Sequence, residues 1–215
     1  MVRAHAQATV SIEDFAGALA SRSPVPGGGS CAAVILALSA ALVAMSAQFT
    51  IGRRRFRSVQ PVMDRLITET ESIRTEALDL IETDACTYTQ LVDAYKMPRE
   101  SPEEIAARDR CIAEAALAAS EVPATVARFA LAVIGLAELA IENGNPHLRS
   151  DAAAGACLAR SVIQICQMNI RANIGLVNDK SSKADLGQTW TDIAEGLPRA
   201  DAAVAAALAI HSHDG

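Results

Sequence analysis

The sequence predicts an all-α protein, a single-domain bundle of about six or seven helices, several of them long. Apolar residues make up 51% of the chain but aromatic residues only 3%, so the core consists mainly of Ala, Leu, Ile and Val. Such cores suit closely packed helices, because Ala is the best helix former and lets helix axes approach. Few segments alternate with period two, and 215 residues are enough for one real core.

The first elements are marked by helix start and stop signals. S-I-E-D at 11–14 resembles a capping box, which predicts a short helix that begins near Ser11. That helix stops before Pro24, because a residue that precedes proline disfavours the α conformation. A glycine loop follows, and an apolar helix then runs from about Ser30 to Thr50.

This apolar segment is long enough to cross a bilayer, because residues 23–52 carry no charge and Arg53 to Arg55 follow as a positive flank. We favour a buried helix at the centre of a bundle or at a subunit interface. The segment is rich in Ala and Ser, contains Gln48 and lacks an aromatic belt. We therefore expect no membrane association.

The middle of the chain predicts two long helices. An amphipathic stretch covers about 59–96. S-P-E-E at 101–104 is a capping box with proline at the first helical position, and this helix continues towards Asn143, where G-N-P follows. We expect a kink or break at Pro123, which has no N–H to donate.

The last part predicts another helix over about 149–178 and a less regular region around Lys180 to Gly187. One or two terminal helices follow, interrupted by Gly196 and Pro198. Residues 1–10 and 212–215 are expected to be flexible ends of this single domain, 1–215.

Charge and cysteine content limit the function classes. The net charge of −6 and pI of about 5.2 give no basic field that would attract nucleic acid. No signal peptide is recognisable at the start of the chain. The five cysteines form no C-x-x-C pair, which favours free buried thiols in a reducing cytosol. We therefore expect a cytoplasmic protein.

The glycine loop P-V-P-G-G-G-S has two interpretations. Pro26, Gly27, Gly28, Gly29 and Ser30 precede a helix whose N–H groups and positive dipole end suit anions or amide-rich heterocycles. Alternatively, the loop is a tight turn with Ser30 as N-cap.

Two acids are candidates for proton transfer. Asp84 lies inside the long helix and shares a face with Tyr88 and Leu91, so an apolar setting can raise its pKa. Asp151 is the last charge before an alanine-rich helix. The alternative for Asp84 is a solvated edge position, and for Asp151 a helix-start acid that interacts with the dipole.

Asn169 and Asn173 lie four residues apart on an otherwise apolar helix. Asparagine is a poor helix former, so the pair indicates either a polar site or a hydrogen-bond network between helices. His5, His147, His211 and His213 show no metal-ligand spacing, and we predict no metal.

Five ordered motifs give the chain a specific family resemblance. P-V-P-G-G-G-S, T-I-G-R-R-R-F, D-A-C-T-Y before K-M-P-R-E-S-P-E-E, G-N-P-H-L-R-S-D-A-A-A-G-A and N-I-R-A-N span about residues 11–180. Together they resemble the cyclodeaminase/cyclohydrolase family of folate one-carbon enzymes. The resemblance implies an all-helical homodimer that binds folate in clefts near the subunit interface, without a metal or redox cofactor.

By motif, the resemblance implies that Asp84 and Asp151 are catalytic. It also implies that the residues from Pro26 to Ser30 line the cleft, and that Asn169 and Asn173 bind the pterin or orient an acid. The motifs G-R-R-R-F and L-R-S-D favour 5-formiminotetrahydrofolate cyclodeaminase over methenyltetrahydrofolate cyclohydrolase.

A cationic cluster follows the apolar helix. Arg53, Arg54, Arg55 and Arg57 either attract a polyglutamate chain on the folate or offset the dipole at a solvated helix end. Arg53 and Arg54 are therefore candidate substrate-binding residues. Two further classes stay open: a non-catalytic helical dimerisation module, and a family member with a non-folate substrate.

Overall fold

The protein, described from a computed structural model, is all-α over residues 10–177, 179–194 and 196–210. This described part confirms the predicted fold class. It contains seven α-helices, which are α1 Ile12–Leu19, α2 Gly28–Gln48, α3 Gln60–Tyr95, α4 Pro102–Asn143, α5 Arg149–Ile174, α6 Lys180–Ala194 and α7 Leu197–Ile210. Two short 3-10 helices, Arg54–Val59 and Pro146–Leu148, precede α3 and α5.

Four long helices, α2 to α5, alternate in direction and share one core. In the α2–α5 pair, the Ser39 hydroxyl donates to the Gly155 carbonyl at 2.7 Å and the Ser46 hydroxyl to the Leu148 carbonyl at 3.3 Å. Residue numbers thus rise along α2 as they fall along α5, so the two helices are antiparallel. The C-terminal part of α2 therefore lies beside the N-terminal part of α5.

The predicted start signals are confirmed at α1 and α4. Ser11 caps α1 by accepting a hydrogen bond from the Asp14 amide at 3.0 Å. Ser101 and Glu104 form the complete capping box at the start of α4, with Pro102 at the first helical position. These side chains satisfy amide groups that have no partner within the helix.

The start of α2 corrects one interpretation of the glycine loop. The N-cap is Gly27, without a side-chain cap, so Gly28 and Gly29 already belong to the first turn of α2. Ser30 is not the N-cap, because its hydroxyl donates to another helix. Among the described glycines only Gly52 has a positive φ, of 74°, so the three consecutive glycines do not serve a left-handed turn.

Two other predictions need correction. Of the kink or break expected at Pro123, the break is excluded, because α4 runs through Pro123 as one element. Residues from Lys180 onwards form α6 instead of a less regular region. The Asp179 carboxylate accepts a hydrogen bond from the Ser182 amide at 2.6 Å, and this local bond satisfies a donor at the start of α6.

The apolar helix α2 packs against α3, α4 and α5, as expected for a core helix. α2 and α4 are both long and apolar enough to cross a membrane, with mean hydropathies of 2.2 and 1.8. In each helix, 56% of the 18-residue apolar segment is buried within the bundle. Such burial is typical of core helices in bundles.

The cysteine prediction is only partly confirmed. The five described cysteines are free thiols, but only Cys166 is buried, whereas Cys86 and Cys157 are exposed. The predicted flexible ends lie outside the described residues, apart from Val10.

Candidate functional site

A pocket of about 330 Å³ opens at the end of the bundle where α2 begins. Four helices and the segment before α2 form its walls. The lining residues are Pro24, Val25, Gly27, Gly28 and Gly29 at the start of α2, Asp84, Thr87 and Tyr88 from α3, Ala119 and Pro123 from α4, and Asn169, Ala172 and Asn173 from α5. Six of the eleven predicted site residues therefore meet here.

Asp84 is the acid of this pocket. The Ser30 hydroxyl donates to Asp84 Oδ2 at 2.8 Å, and the Ser30 backbone amide also donates to this carboxylate. Burial raises the pKa of Asp84 above its usual range, and the two hydrogen bonds from Ser30 oppose this rise. The result is a half-buried carboxyl group that faces a cavity and favours the protonated state more than a free Asp does.

The close approach of α3 to α2 explains why residue 29 is glycine. A Cβ at Gly29 would lie 2.6 Å from Asp84 Cγ and 2.8 Å from Asp84 Oδ2, and would overlap with Oδ1. A side chain at this position would therefore displace the acid. Gly29 allows close packing against the Asp84 carboxylate. The sequence alone had suggested that the glycines allow close approach of a ligand.

The first turn of α2 also gives the pocket hydrogen-bond donors. The first helical amides have no acceptor within the helix, and Gly28 and Gly29 line the cavity. Asn169 lies opposite, since its Oδ1 would be 3.5 Å from a Cβ on Gly28. This wall of the pocket therefore combines backbone amides with a side-chain amide.

Asn173 contacts α4 across the pocket. Its Nδ2 donates to the Ala119 carbonyl at 3.3 Å. One of the two predicted asparagines thus forms a network between helices while both line the pocket, so the two interpretations of this pair are not exclusive.

Cys166 lies behind the acid without lining the pocket. Burial raises the pKa of its thiol to about 12, and the Asp84 charge adds to the rise. The thiol therefore stays protonated at neutral pH and is a poor nucleophile.

Ser30 and Pro26 are both buried. Ser30 acts on Asp84 rather than on the cavity, as its hydrogen bond shows. Pro26 precedes the N-cap of α2 and is not among the residues that line the pocket.

Asp151, Arg53 and Arg54 lie at the opposite end of the bundle. Asp151 is in the first turn of α5, about 27 Å along the helix from Asn169. Arg53 and Arg54 follow the C-terminal end of α2, a helix about 30 Å long that begins at the pocket. Within one chain, these three residues do not reach a ligand in the Asp84 pocket, and their roles stay predictions.

Sequence reasoning missed several pocket residues. Ala119 carries no motif signal, and Thr87 lies in the D-A-C-T-Y motif but was not proposed as a site residue. Pro123 was noted only as the position of a kink or break. Tyr88 was noted because it shares a face with Asp84, and that spacing did bring both to the pocket. Among the described residues, no group of three or more His, Cys, Asp or Glu side chains is placed to hold a metal ion.

The fold and the pocket define a class of all-helical proteins with one half-buried acid at a glycine-rich helix N-terminus. The family model described as formiminotransferase-cyclodeaminase matches residues 11–192. The chain therefore belongs to the formiminotransferase-cyclodeaminase family, which confirms the resemblance noted in the sequence.

Individual relatives carry two different activity names. A methenyltetrahydrofolate cyclohydrolase of Methylorubrum extorquens is 33% identical over 80% of this chain and 82% of that protein. A formimidoyltransferase-cyclodeaminase of Gallus gallus is 27% identical over 90% of this chain but only 36% of that protein. The chain thus spans about a third of the length of this longer relative.

A solved structure has the same fold. The crystal structure of a formiminotetrahydrofolate cyclodeaminase from Thermotoga maritima has a TM-score of 0.81 to this chain at 26% identity. The match covers 91% of this chain and 96% of that chain.

Proposed function

We propose that this protein is a cytoplasmic folate one-carbon enzyme that converts 5-formiminotetrahydrofolate to 5,10-methenyltetrahydrofolate and ammonia. The half-buried Asp84 carboxyl group in a pocket between four helices carries the proposal. Membership of the family and the fold shared with the Thermotoga maritima cyclodeaminase support the substrate class.

The reaction needs one proton to move between two nitrogens. N10 of the substrate attacks the carbon of the protonated formimino group, which becomes tetrahedral between N5 and N10 and carries a neutral NH2 group. The N10 proton must then leave, and the exocyclic amine must gain a proton before it departs as ammonia. A carboxylate can accept the first proton and return it to the amine, and it tolerates the nearby cation of the product.

The pocket supplies the groups for this sequence. Asp84 has a pKa raised by burial, which brings the carboxyl closer to a useful acid and base near neutral pH. The amides of Gly28 and Gly29 and the side chains of Asn169 and Asn173 can hold the pterin. The proposal needs no metal or redox cofactor.

The alternative activity is methenyltetrahydrofolate cyclohydrolase, in which water adds to the same carbon and the ring opens to 10-formyltetrahydrofolate. The Methylorubrum extorquens relative, which this chain matches over most of its length, favours it. Release of ammonia from 5-formiminotetrahydrofolate, measured together with methenyl absorbance, separates the two. Ammonia release indicates the deaminase, whereas decay of added methenyl compound alone indicates the hydrolase.

We predict that Ser30→Ala shifts the pH profile of turnover. The Ser30 hydroxyl lowers the pKa of Asp84 by donating to its charged form. Its loss should therefore raise the Asp84 pKa further, and the limb of the profile that reports this group should move to higher pH. Rate against pH for wild type and variant measures the shift.

Ser39→Ala is the matched control. Ser39 is another buried serine of α2, but its hydroxyl donates to the Gly155 carbonyl and not to an acid. The control should keep the wild-type profile. An unmoved limb in Ser30→Ala, or an equal shift in Ser39→Ala, would contradict the assigned role of Ser30.

We also propose a homodimer. α2 carries no charge, and an apolar stripe of Leu38, Leu42 and Met45 follows one of its faces and continues to its C-cap, Phe49. Leu38 and Phe49 are 52% and 50% exposed. A second copy of the chain would bury this stripe. In such a dimer, Arg53 of one chain could also approach the pocket of the other.

Light scattering at micromolar concentration should therefore give twice the mass of the chain, and Leu38→Glu should give the monomer. Leu208→Glu, which changes an exposed leucine of α7, should leave the mass unchanged. A monomeric wild type would overturn the proposal.

A further inference from the structure

The Ala119 carbonyl in the wall of the pocket lacks its usual helical partner. In an α-helix this oxygen would accept from the amide four residues later, which here is Pro123 and has no N–H. Both residues are buried and both line the pocket. The proline therefore leaves an acceptor that another group must satisfy.

Asn173 supplies the missing donor from α5. Its Nδ2 donates to the Ala119 oxygen at 3.3 Å, and this is the hydrogen bond that the structure gives to the Asn173 side chain. A side-chain amide has its donor and acceptor on opposite sides of one carbon. With one Nδ2 N–H held by α4, the orientation of the amide is fixed, and Oδ1 is the acceptor that Asn173 can offer to a ligand.

The neighbouring asparagine lacks this constraint. Asn169 also lines the pocket but makes no hydrogen bond to a side chain or carbonyl in the described part of the chain. Rotation of its amide costs no protein hydrogen bond, so Asn169 can present either Oδ1 or Nδ2. The same rotation of Asn173 would direct its oxygen at the Ala119 oxygen and leave two acceptors in contact.

We propose that Pro123 fixes the orientation of the Asn173 amide, so that Asn173 acts as a specificity-determining hydrogen-bond acceptor for a ligand N–H group. The ligand chemistry that fits is a planar heterocycle with an N–H edge, such as the amide and amino groups of a reduced pterin. This choice of ligand rests on the proposed function, whereas the fixed orientation does not.

The ligand-independent part is tested by a double-mutant cycle on thermal unfolding. Asn173→Ala should lower Tm in the wild-type background, because the Ala119 carbonyl loses its donor. In Pro123→Ala the new amide of residue 123 can take that role, so the same Asn173→Ala change should lower Tm by less than half as much. Equal losses in both backgrounds would overturn the fixed orientation.

The specificity part is tested by binding of 5-formyltetrahydrofolate, a stable folate, measured by calorimetry. Asn173→Ala should raise Kd by about tenfold, which is the loss of affinity expected for one hydrogen bond to a buried ligand group. Asn173→Asp should bind poorly in the wild-type background, where a carboxylate oxygen would meet the Ala119 oxygen. In the Pro123→Ala background, Asn173→Asp should recover most of the affinity. The residue-123 amide then satisfies the Ala119 oxygen, so residue 173 is needed only as an acceptor for the ligand.

Asn169→Asp is the matched control, since its effect on Kd should be the same in both backgrounds. No recovery of Asn173→Asp in Pro123→Ala would overturn the acceptor role. If the wild type does not bind the folate, the substrate assignment fails and the specificity claim fails with it. The unfolding cycle would still decide whether Pro123 fixes the amide.

Discussion

Asp84→Asn should lower turnover of the folate substrate by about a hundredfold or more, because the group that moves the proton is lost while the shape is kept. The substitution keeps an oxygen that can accept from the Ser30 hydroxyl, which donates at 2.8 Å in the wild type. Affinity for 5-formyltetrahydrofolate should change much less than kcat. Steady-state kinetics and calorimetry on the same preparation measure the two effects.

Stability gives an independent check on the same variant. Burial raises the pKa of Asp84, so the folded state holds this proton more tightly than the unfolded chain. The contribution to stability is present at low pH and is lost as pH rises through the folded-state pKa. Because Asn cannot ionise, Asp84→Asn should not lower Tm at neutral pH, and a misfolded variant would be recognised by its lower Tm.

Asp151→Asn is the comparison for the second predicted acid. Asp151 lies in the first turn of α5, at the end of the bundle away from the pocket. If one chain forms the whole site, this variant keeps most of the turnover. A loss as large as that of Asp84→Asn would show that a second copy completes the site, and near-normal turnover in both variants would contradict catalysis by either acid.

Gly29→Ala should also reduce turnover by about a hundredfold, since a displacement of about 1 Å at a reacting group has this effect. The added methyl group would lie 2.6 Å from Asp84 Cγ, so either the carboxyl or the helix must move. Such crowding should lower stability by about 1–3 kcal/mol. Turnover and urea unfolding of the variant measure both losses.

Gly28→Ala is the matched control on the neighbouring residue. A methyl group there would be 3.5 Å from Asn169 Oδ1, which is an ordinary contact. Alanine is the better helix former, so this variant should be as stable as wild type or slightly more stable. Equal losses of turnover and stability at positions 28 and 29 would contradict the close contact between Gly29 and Asp84.

Local signals predicted the helices well because their determinants are local. The capping residues Ser11 and Ser101 set the starts of α1 and α4. α6 was missed because the residues that follow its cap, Asp179, have little apolar periodicity. The N-cap of α2 was misplaced because the Ser30 hydroxyl serves Asp84, a contact 54 residues away along the chain.

Part of the site was predicted because its residues lie in local sequence motifs. Asp84, the glycines and the asparagines were identified by motif, and the packing of α2 against α3 and α5 brings them together. Motif order contains no information about which end of an antiparallel bundle a residue occupies, so Asp151 and Arg53 were grouped with them. The link from Pro123 through the Ala119 carbonyl to Asn173 depends on tertiary packing and left no motif.

The most direct test of the proposed function is turnover of two folates by the purified wild-type protein, measured both without and with a metal chelator. Methenyl absorbance in the near ultraviolet should rise when the protein is added to 5-formiminotetrahydrofolate, with ammonia released in equal amount. A faster decay of added 5,10-methenyltetrahydrofolate without ammonia release would assign the hydrolase instead. A folded protein that changes neither compound would contradict folate one-carbon chemistry at the Asp84 pocket, and activity abolished by the chelator would contradict the metal-free mechanism.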